Sequence, residues 1–353
     1  MATSSMRLRG RLPNPSNLSA NTVVGSMLTK HKGRFLQGAP FLAQPAGQRS
    51  GFRKGTAMSE HSTTTASPTR AEAELQALMA RAVREVRETN PLAPSITNTV
   101  TQSFVANAQL AVGGSAAMVY LPDEGECVAA LGGAVYINLG TLMPVYEQTV
   151  PATARACAAA ATPWVLDPVG VGIGSLRTRL IEAVRENPPT ILRGNASEII
   201  AVADLWGLGG NSADGASGDG PRGVDSTDSV DAAERAAVAC ARFTGGAVAV
   251  SGTTDLVTDG AQVARLSGGS PLMTCITGSG CSLGGVCAVY ACVADPFVAA
   301  LAATAAYNLA GLRAAETYNG SGSFQVAFLD ALYNLTAEEV AEAPLALASA
   351  SAA

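Results

Sequence analysis

The sequence predicts an α/β fold in which a mostly parallel central sheet lies between layers of helices. Three observations support this prediction. Short apolar runs alternate with helical segments from about residue 98 to residue 293, which is the pattern of a parallel sheet. The chain is 48% hydrophobic and only 14% charged, so it can bury the core of one large domain or two modest ones. Polar side chains follow several of the apolar runs, where parallel sheets bind ligands.

Helical periodicity is clear at the start of this region. Leu75, Met79 and Val83 are among the apolar residues that recur at three- and four-residue spacing over 71–89, and Asn90-Pro91 ends that helix. The same reasoning predicts further helices over 104–110, 123–131, 141–161 (capped by Thr141), 176–186, from 194–198 onward, 230–243, 283–293, 296–317 and 324–335.

Buried strands are predicted from compact apolar runs bounded by turn residues. They cover 116–121, 134–138, 163–167, 190–193 and 247–251, and a hairpin with Asp259-Gly260 as its turn covers 255–266. Residues 94–100 are interpreted as a polar segment before a helix. There, Thr97 or Asn98 either caps the helix or contacts a ligand.

Composition excludes several classes of function. All 28 acidic residues follow residue 59, and the acidic body this leaves argues against a nucleic-acid partner. The chain has only two histidines and no C-x-x-C pair among its seven cysteines, which argues against an ordinary zinc site. Asp295-Pro296 interrupts the apolar run 283–312. We therefore expect two buried helices, neither long enough to span a membrane.

Residues 1–60 have the composition of a disordered organelle transit peptide. The segment is rich in Ser, Arg, Asn and Gly, and its first 59 residues contain no acidic side chain. A plastid is the preferred destination, with the mitochondrion as the alternative. Met58 as an alternative start would leave a cytosolic form, and a basic tail that binds another molecule is a further alternative. Residues 207–229 are rich in Gly, Asp and Ser, which predicts a flexible surface insertion.

The stretch 270–281 carries the strongest signal for chemistry. Gly278-Ser279-Gly280-Cys281 is a small-residue loop that leads into a helix, and a helix start presents free N–H groups and partial positive charge to an anion. Cys281 lies where a thiol is easiest to ionise. Loops of this kind are common, so the anion site depends on the polar residues at the strand ends, which are Asn138, Asp167, Arg193 and Ser251.

Taken in order, these residues resemble a known family. The resemblance is carried by Ile96-Thr97-Asn98, Leu166-Asp167-Pro168-Val169-Gly170, Arg193-Gly194-Asn195-Ala196-Ser197-Glu198-Ile199, Gly223-Val224-Asp225-Ser226, Ser251-Gly252, Pro271-Leu272-Met273 and Thr277-Gly278-Ser279-Gly280-Cys281. The series resembles hydroxyethylthiazole kinase over about residues 75–340, within a kinase domain at 70–345. The resemblance implies a ribokinase-like three-layer sandwich and phosphoryl transfer from ATP to hydroxyethylthiazole. It also implies a homotrimer with active sites between subunits.

The resemblance also implies roles for individual residues. The backbone amides of Gly278, Ser279, Gly280 and Cys281 would cradle the transferring phosphoryl group, and Cys281 would be a weak base for the acceptor hydroxyl. The other implied roles are ATP binding by Arg193 and Ser251, substrate binding by Met118, Asn98 and Gly278, and Mg²⁺ binding by Glu198 and Asp167. Core packing is the alternative for Met118.

One departure from the family and two rival functions remain open at this point. Pro94-Ser95 stands where the family usually has His-Cys, which affects the expected preference for the alcohol. A hydroxymethylpyrimidine kinase is a rival of the same fold, although such enzymes usually end the anion loop in Asp rather than in a cysteine. A non-catalytic nucleotide-binding protein is the rival from another class.

Overall fold

The structure is a computed structural model that describes residues 69–209 and 230–351. Within them, the helices are α1 (Glu72–Thr89), α2 (Gln102–Ala111), α3 (Pro122–Ala130), α4 (Tyr146–Ala160), α5 (Ser175–Ala183), α6 (Ala196–Leu205), α7 (Val230–Thr244), α8 (Ser279–Ala291), α9 (Pro296–Thr317), α10 (Ser321–Asn334) and α11 (Ala337–Ala341). Short 3₁₀ helices cover Val184–Glu186 and Pro271–Cys275.

The strands of the described residues form a single nine-stranded sheet. They are β1 (Leu92–Ile96), β2 (Ser115–Met118), β3 (Val135–Asn138), β4 (Trp164–Asp167), β5 (Ile191–Asn195), β6 (Ala247–Ser251), β7 (Thr254–Thr258), β8 (Gln262–Ser267) and β9 (Leu345–Ser349). Their order across the sheet is β2-β1-β3-β4-β5-β6-β7-β8-β9. The first six strands in this order, including β1, run parallel to one another. Strands β7, β8 and β9 continue the sheet in antiparallel pairs.

Helices cover both faces of the sheet, which gives three layers. Alternate strand residues enter two separate cores: Tyr136 and Val165 pack with α1, α2 and α8 to α11, whereas Ile137 and Leu166 pack with α3 to α7. The carboxyl ends of β3, β4, β5 and β6 lie side by side in this arrangement. This confirms the predicted mostly parallel α/β sandwich and brings the strand-end residues to one edge.

The predicted elements are largely present, with three omissions. Strand β1 overlaps residues 94–100, which were interpreted as a polar segment before a helix. Its Ser95 hydroxyl is buried and accepts a hydrogen bond from Gln109 Nε2 at 3.1 Å. Helix α11 and strand β9 were not predicted either. Strand β9 has a mostly exposed side and pairs only with β8, so its sequence lacks the continuous apolar run that marks the central strands.

Two local predictions are wrong. Thr141 does not cap the helix that follows, since α4 begins at Tyr146; the Thr141 hydroxyl instead accepts a hydrogen bond from Thr99 N at 2.9 Å. The second wrong prediction concerns the helix after Asp295, which covers the predicted residues 296–317 but was expected to be too short to span a membrane. Asp295 caps α9, and the resulting 22-residue helix is long and apolar enough to cross a membrane by length and composition alone. Its apolar window is 83% buried inside the protein, as in the core helix of a globular domain.

Two predicted segments fall mainly on residues that the structure does not describe. The transit peptide over 1–60 lies entirely outside the described residues, and so does most of the insertion over 207–229. Helix α6 ends at Leu205, and the described chain resumes with α7 at Val230.

Candidate functional site

Polar side chains at the carboxyl edge of the sheet form a connected hydrogen-bond network. Asn138 Nδ2 donates to the Tyr136 hydroxyl at 2.9 Å, and that hydroxyl lies 3.2 Å from Asp167 Oδ2. Arg193 contacts Asp167 at 3.3 Å and donates to the Ser251 hydroxyl at 2.8 Å. The four strand-end residues singled out in the sequence are therefore brought together, and Tyr136, which sequence reasoning missed, links them.

Arg193 and Asp167 form a buried ion pair. Their side chains are 9% and 0% exposed. Burial alone would lower the pKa of Arg193, but the negative charges of Asp167 and Glu198 raise it, so the guanidinium stays charged. Arg193 Nε has no hydrogen-bond partner within the described chain. A charged donor with unused capacity suits an anionic ligand.

Glu198 is a second buried carboxylate close to this pair. It closes a capping box at the start of α6, where it accepts hydrogen bonds from Asn195 N at 2.9 Å and Gly170 N at 3.0 Å. Burial and the neighbouring charge of Asp167 raise the pKa of Glu198. Two carboxylates thus face one guanidinium, and the excess negative charge suits a cation.

No group of three or more His, Cys, Asp or Glu side chains with the spacing of a metal site occurs in residues 69–209 and 230–351. Two carboxylates nevertheless fit Mg²⁺, which keeps several waters and takes its remaining ligands from a bound phosphate. Asp167 and Glu198 are the pair in a position to hold it.

The predicted anion loop opens helix α8. The helix begins at Ser279, and Gly278 precedes it with a φ of +87°. Glycine is required at 278 because a Cβ there would lie 2.7 Å from Thr101 Cγ2, and because L-residues rarely adopt that φ. The Ser279 hydroxyl donates to the Met273 carbonyl at 2.9 Å, which ties the loop to the preceding 3₁₀ helix. The backbone amides of the first helical turn are thereby held in a fixed position.

Gly280 lies directly against Arg193. A Cβ at Gly280 would be 2.8 Å from one terminal nitrogen of the guanidinium and 2.9 Å from the other. The open end of α8 and the charged side chain therefore form one positively polarised surface.

Cys281 does not have the lowered pKa that its position suggested. Burial and the charge of Asp167 raise the pKa of Cys281 to about 11, although Arg193 and the hydrogen bonds of Asn138 and Asn98 oppose the shift. Burial outweighs the helix N-terminus, which contributes only about 0.3–1 kcal/mol to a nearby anion. The thiol is protonated at neutral pH.

The predicted substrate residues occupy different places. Asn98 lies inside the network: its Nδ2 donates to Asn138 Oδ1 at 2.8 Å and lies 3.5 Å from Cys281 Sγ, while its Oδ1 accepts from Thr101 N at 3.1 Å. It therefore both supports the helix start and reaches the thiol. Met118 ends strand β2 opposite Ser95 and packs half-buried against the core.

A cavity of about 510 Å³ opens beside the anion loop. Four of the predicted residues line it, namely Arg193, Ser251, Ser279 and Gly280. It also contains three residues that sequence reasoning missed, which are Asp255, Tyr307 and Asn308. The one available signal for Asn308 was a polar side chain inside an otherwise apolar helix.

Comparison with known proteins gives a consistent result. The model of the hydroxyethylthiazole kinase family matches residues 83–338. A hydroxyethylthiazole kinase of Bifidobacterium longum (strain DJO10A) is 51% identical over 296 residues, which is 80% of this chain and 94% of the relative. One from Cereibacter sphaeroides (strain ATCC 17029) is 46% identical over 253 residues, or 72% of this chain and 92% of the relative.

Solved structures agree with the fold. The hydroxyethylthiazole kinase protein from Pyrococcus horikoshii OT3 superposes with a TM-score of 0.67 at 29% identity, covering 77% of this chain and 98% of that one. A hypothetical protein from Streptococcus mutans superposes with a TM-score of 0.52 at 13% identity, covering 73% of this chain and 99% of that one. The second likeness concerns the fold alone.

Proposed function

The chain belongs to the hydroxyethylthiazole kinase family, and on that premise we propose that it transfers the γ-phosphoryl group of ATP to the primary hydroxyl of 5-(2-hydroxyethyl)-4-methylthiazole, a salvage step toward thiamine. The observation that carries the proposal is the position of Arg193 over Gly280, at the open end of α8. It supplies fixed donors on one side of a cavity large enough for a nucleotide.

Phosphoryl transfer requires positioning and charge neutralisation more than covalent chemistry. The N–H groups of residues 279–281 belong to the first turn of α8, where backbone donors have no partner within the helix. Together with Arg193 they would bind the oxygens of the transferring group, and Ser251 would bind another part of the nucleotide. Donors that are already fixed stabilise the transition state without reorganisation.

The acceptor hydroxyl would lie next to Cys281 and Asn98. Because the Cys281 thiol is protonated at neutral pH, it serves as a weak base at most, and the amides and Arg193 contribute more to the rate. Asn98 orients the thiol from one side through its amide at 3.5 Å. We assign Met118 and Gly278 to the thiazole side of the site on the resemblance to the family.

We also propose that Mg²⁺ accompanies ATP and that Asp167 and Glu198 hold it, partly through water. The ion would neutralise charge on the phosphates when it is bound. Support comes from the two buried carboxyl groups, since burial and the charge of Asp167 raise the pKa of Glu198. Loss of activity on chelation and its recovery with added Mg²⁺, but not with Na⁺ at equal ionic strength, is the expected result.

A homotrimer with inter-subunit active sites is proposed from the family resemblance. Light scattering of the purified protein should give a mass three times that of one chain, and a monomeric mass at full activity would refute the proposal. The plastid is likewise a proposal, supported by the acid-free composition of residues 1–59. A fluorescent reporter fused to residues 1–60 should enter plastids, and retention in the cytosol would refute it.

The proposed reaction is tested by ATP consumption with hydroxyethylthiazole as the acceptor. We expect turnover that depends on both substrates and falls strongly in Arg193→Gln. Hydroxymethylpyrimidine serves as the matched alternative acceptor. If it were phosphorylated in preference to hydroxyethylthiazole, the substrate assignment would be wrong; if neither alcohol stimulated ATP consumption, the kinase assignment would be wrong.

A further inference from the structure

Helix α9 carries polar side chains that its apolar environment does not explain. Thr304, Tyr307 and Asn308 lie on one face of the helix, and each has a buried polar atom without a hydrogen-bond partner among the described residues. Asn308 is only 7% exposed, and both Asn308 and Tyr307 line the cavity beside the anion loop. A buried amide with an unused donor is costly unless a ligand or a water molecule satisfies it.

Asp255 faces the same cavity at the start of β7. One of its carboxylate oxygens accepts a hydrogen bond from Gly252 N at 2.9 Å. Burial raises the pKa of this carboxyl, while Gly252, Asn308 and Arg193 lower it. The Asn308 amide is thus close enough to stabilise the carboxylate, yet its Nδ2 makes no well-formed hydrogen bond there. The pair presents an acceptor and an unused donor next to each other.

The position of the pair limits what it can bind. Arg193 donates to the Ser251 hydroxyl, Gly252 follows Ser251 in the chain, and Gly252 N donates to Asp255, so the carboxyl is adjacent to the proposed phosphate end of the cavity. A carboxylate repels phosphate oxygens, so the part of a nucleotide that it binds is a group with a hydrogen to donate. The ribose is the part of a nucleotide that follows the phosphates, and its hydroxyls both donate and accept hydrogen bonds.

We propose that Asp255 and Asn308 together bind a ribose hydroxyl of the nucleotide: the carboxylate accepts the hydroxyl hydrogen, and Asn308 Nδ2 donates to the hydroxyl oxygen. The proposal rests on the proposed function, because it requires a nucleotide in this cavity. It adds a selection between ribonucleotides and deoxyribonucleotides.

If Asn308 had only a structural role, replacing its side chain would leave the selection between nucleotides unchanged. Its backbone carbonyl accepts a hydrogen bond from Gly269 N at 3.0 Å, which holds the Gly268–Gly269 turn against α9. That bond survives substitution of the side chain. Asn308→Leu keeps the branching at Cγ and removes only the amide, so it separates the two roles.

The test compares the binding of ADP, 2′-deoxyADP, 3′-deoxyADP and IDP by calorimetry in the absence of the alcohol. Wild-type protein should bind ADP about tenfold more tightly than the deoxy analogue that lacks the bound hydroxyl, the effect of about one hydrogen bond. In Asp255→Ala and Asn308→Leu this ratio should fall to within about twofold. Asp330→Ala and Asn334→Ala, two substitutions at exposed positions of α10, should keep the wild-type ratio.

Three results would overturn the proposal. They are equal binding of ADP and both deoxy analogues by wild-type protein, an unchanged ratio in both cavity variants, and discrimination against IDP alone, which would assign the pair to the base. Because binding is measured without turnover, any of these can occur in an active kinase. Absence of both nucleotide binding and turnover would instead refute the proposed function.

Discussion

Replacing Gly280 by alanine tests the contact between the anion loop and Arg193. The new Cβ would lie 2.8 and 2.9 Å from the two terminal nitrogens of the guanidinium and 3.2 Å from its carbon. Contacts below 3.0 Å require something to move, and the backbone of α8 is fixed by the buried side of that helix. Arg193 is therefore the group that shifts.

Arg193 cannot shift without weakening a bond. Asp167 holds it at 3.3 Å and Ser251 at 2.8 Å, and its direction toward the cavity depends on both. Losing one charge-assisted hydrogen bond to the transition state costs about 1.5–3 kcal/mol, which lowers kcat/KM by about 10- to 150-fold. Alanine is more favourable than glycine within a helix, so part of the cost in stability is offset. We expect a large loss of activity with a small change in Tm.

The assay is steady-state kinetics with ATP varied, together with thermal unfolding of the same samples. Gly322→Ala is the matched control, because a Cβ at that helical glycine meets nothing within 4 Å. It should keep wild-type kinetics. An unchanged kcat/KM in Gly280→Ala would refute the reasoning, since displacing Arg193 with the new methyl group would then have no effect on the reaction.

Further predictions concern the loop, the network and the buried thiols. Gly278→Val should lower kcat by at least about 100-fold, as for loss of an oxyanion donor, and by more than Cys281→Ala does; single-turnover kinetics that reverse this order would show that the thiol dominates. Tyr136→Phe leaves a buried amide donor unpaired and should lower the free energy of unfolding by about 1–3 kcal/mol in urea titrations, and an unchanged midpoint would contradict the network. Burial raises the pKa of Cys157 and of Cys240 to about 12. The stability that comes from burying these thiols in their neutral form is therefore fully present below the unfolded pKa near 8.5, and it is lost as pH rises toward 12. Each should contribute about 1–2 kcal/mol of lost stability at pH 10, so a double Cys→Ala variant should show a shallower decline in Tm from pH 8 to pH 10, and equal slopes would count against this account.

The strands that could be predicted from the sequence are those buried on both faces of the sheet. Strands β3, β4 and β6 are continuous apolar runs, and their bounds follow the predicted runs closely. Strand β1 was missed because Pro94 and Ser95 interrupt its apolar run. The polarity of Ser95 is compensated by Gln109, fourteen residues later, and no local pattern reveals such a partner.

The candidate site likewise contains some residues that the sequence could identify and others that only the fold brings to the site. The carboxyl ends of parallel strands meet at one edge, so Asp167, Arg193 and Ser251 could be grouped from the sequence. Tyr136 could not be grouped with them, because a tyrosine inside an apolar strand is indistinguishable from a core residue in the sequence. Only the structure shows that its hydroxyl donates to the Cys281 carbonyl at 2.6 Å. Asn308 lies 57 residues beyond Ser251 in the chain, and only the folded helix brings it to the same cavity.

At Cys281, the position at a helix start suggested the wrong direction for the pKa shift of the thiol. A helix N-terminus favours a thiolate by about 0.3–1 kcal/mol, which is less than one pKa unit. Burial and Asp167 together outweigh it and raise the pKa to about 11. A neutral thiol is consistent with the proposed phosphate site, since Asp167 and Glu198 already bring two carboxyl groups to it, and a thiolate would further weaken the binding of an anion. The position thus favours a neutral side chain, which fits the proposed role of Cys281 as a weak base at most, and under that proposal the amides of α8 and Arg193 contribute more to the rate.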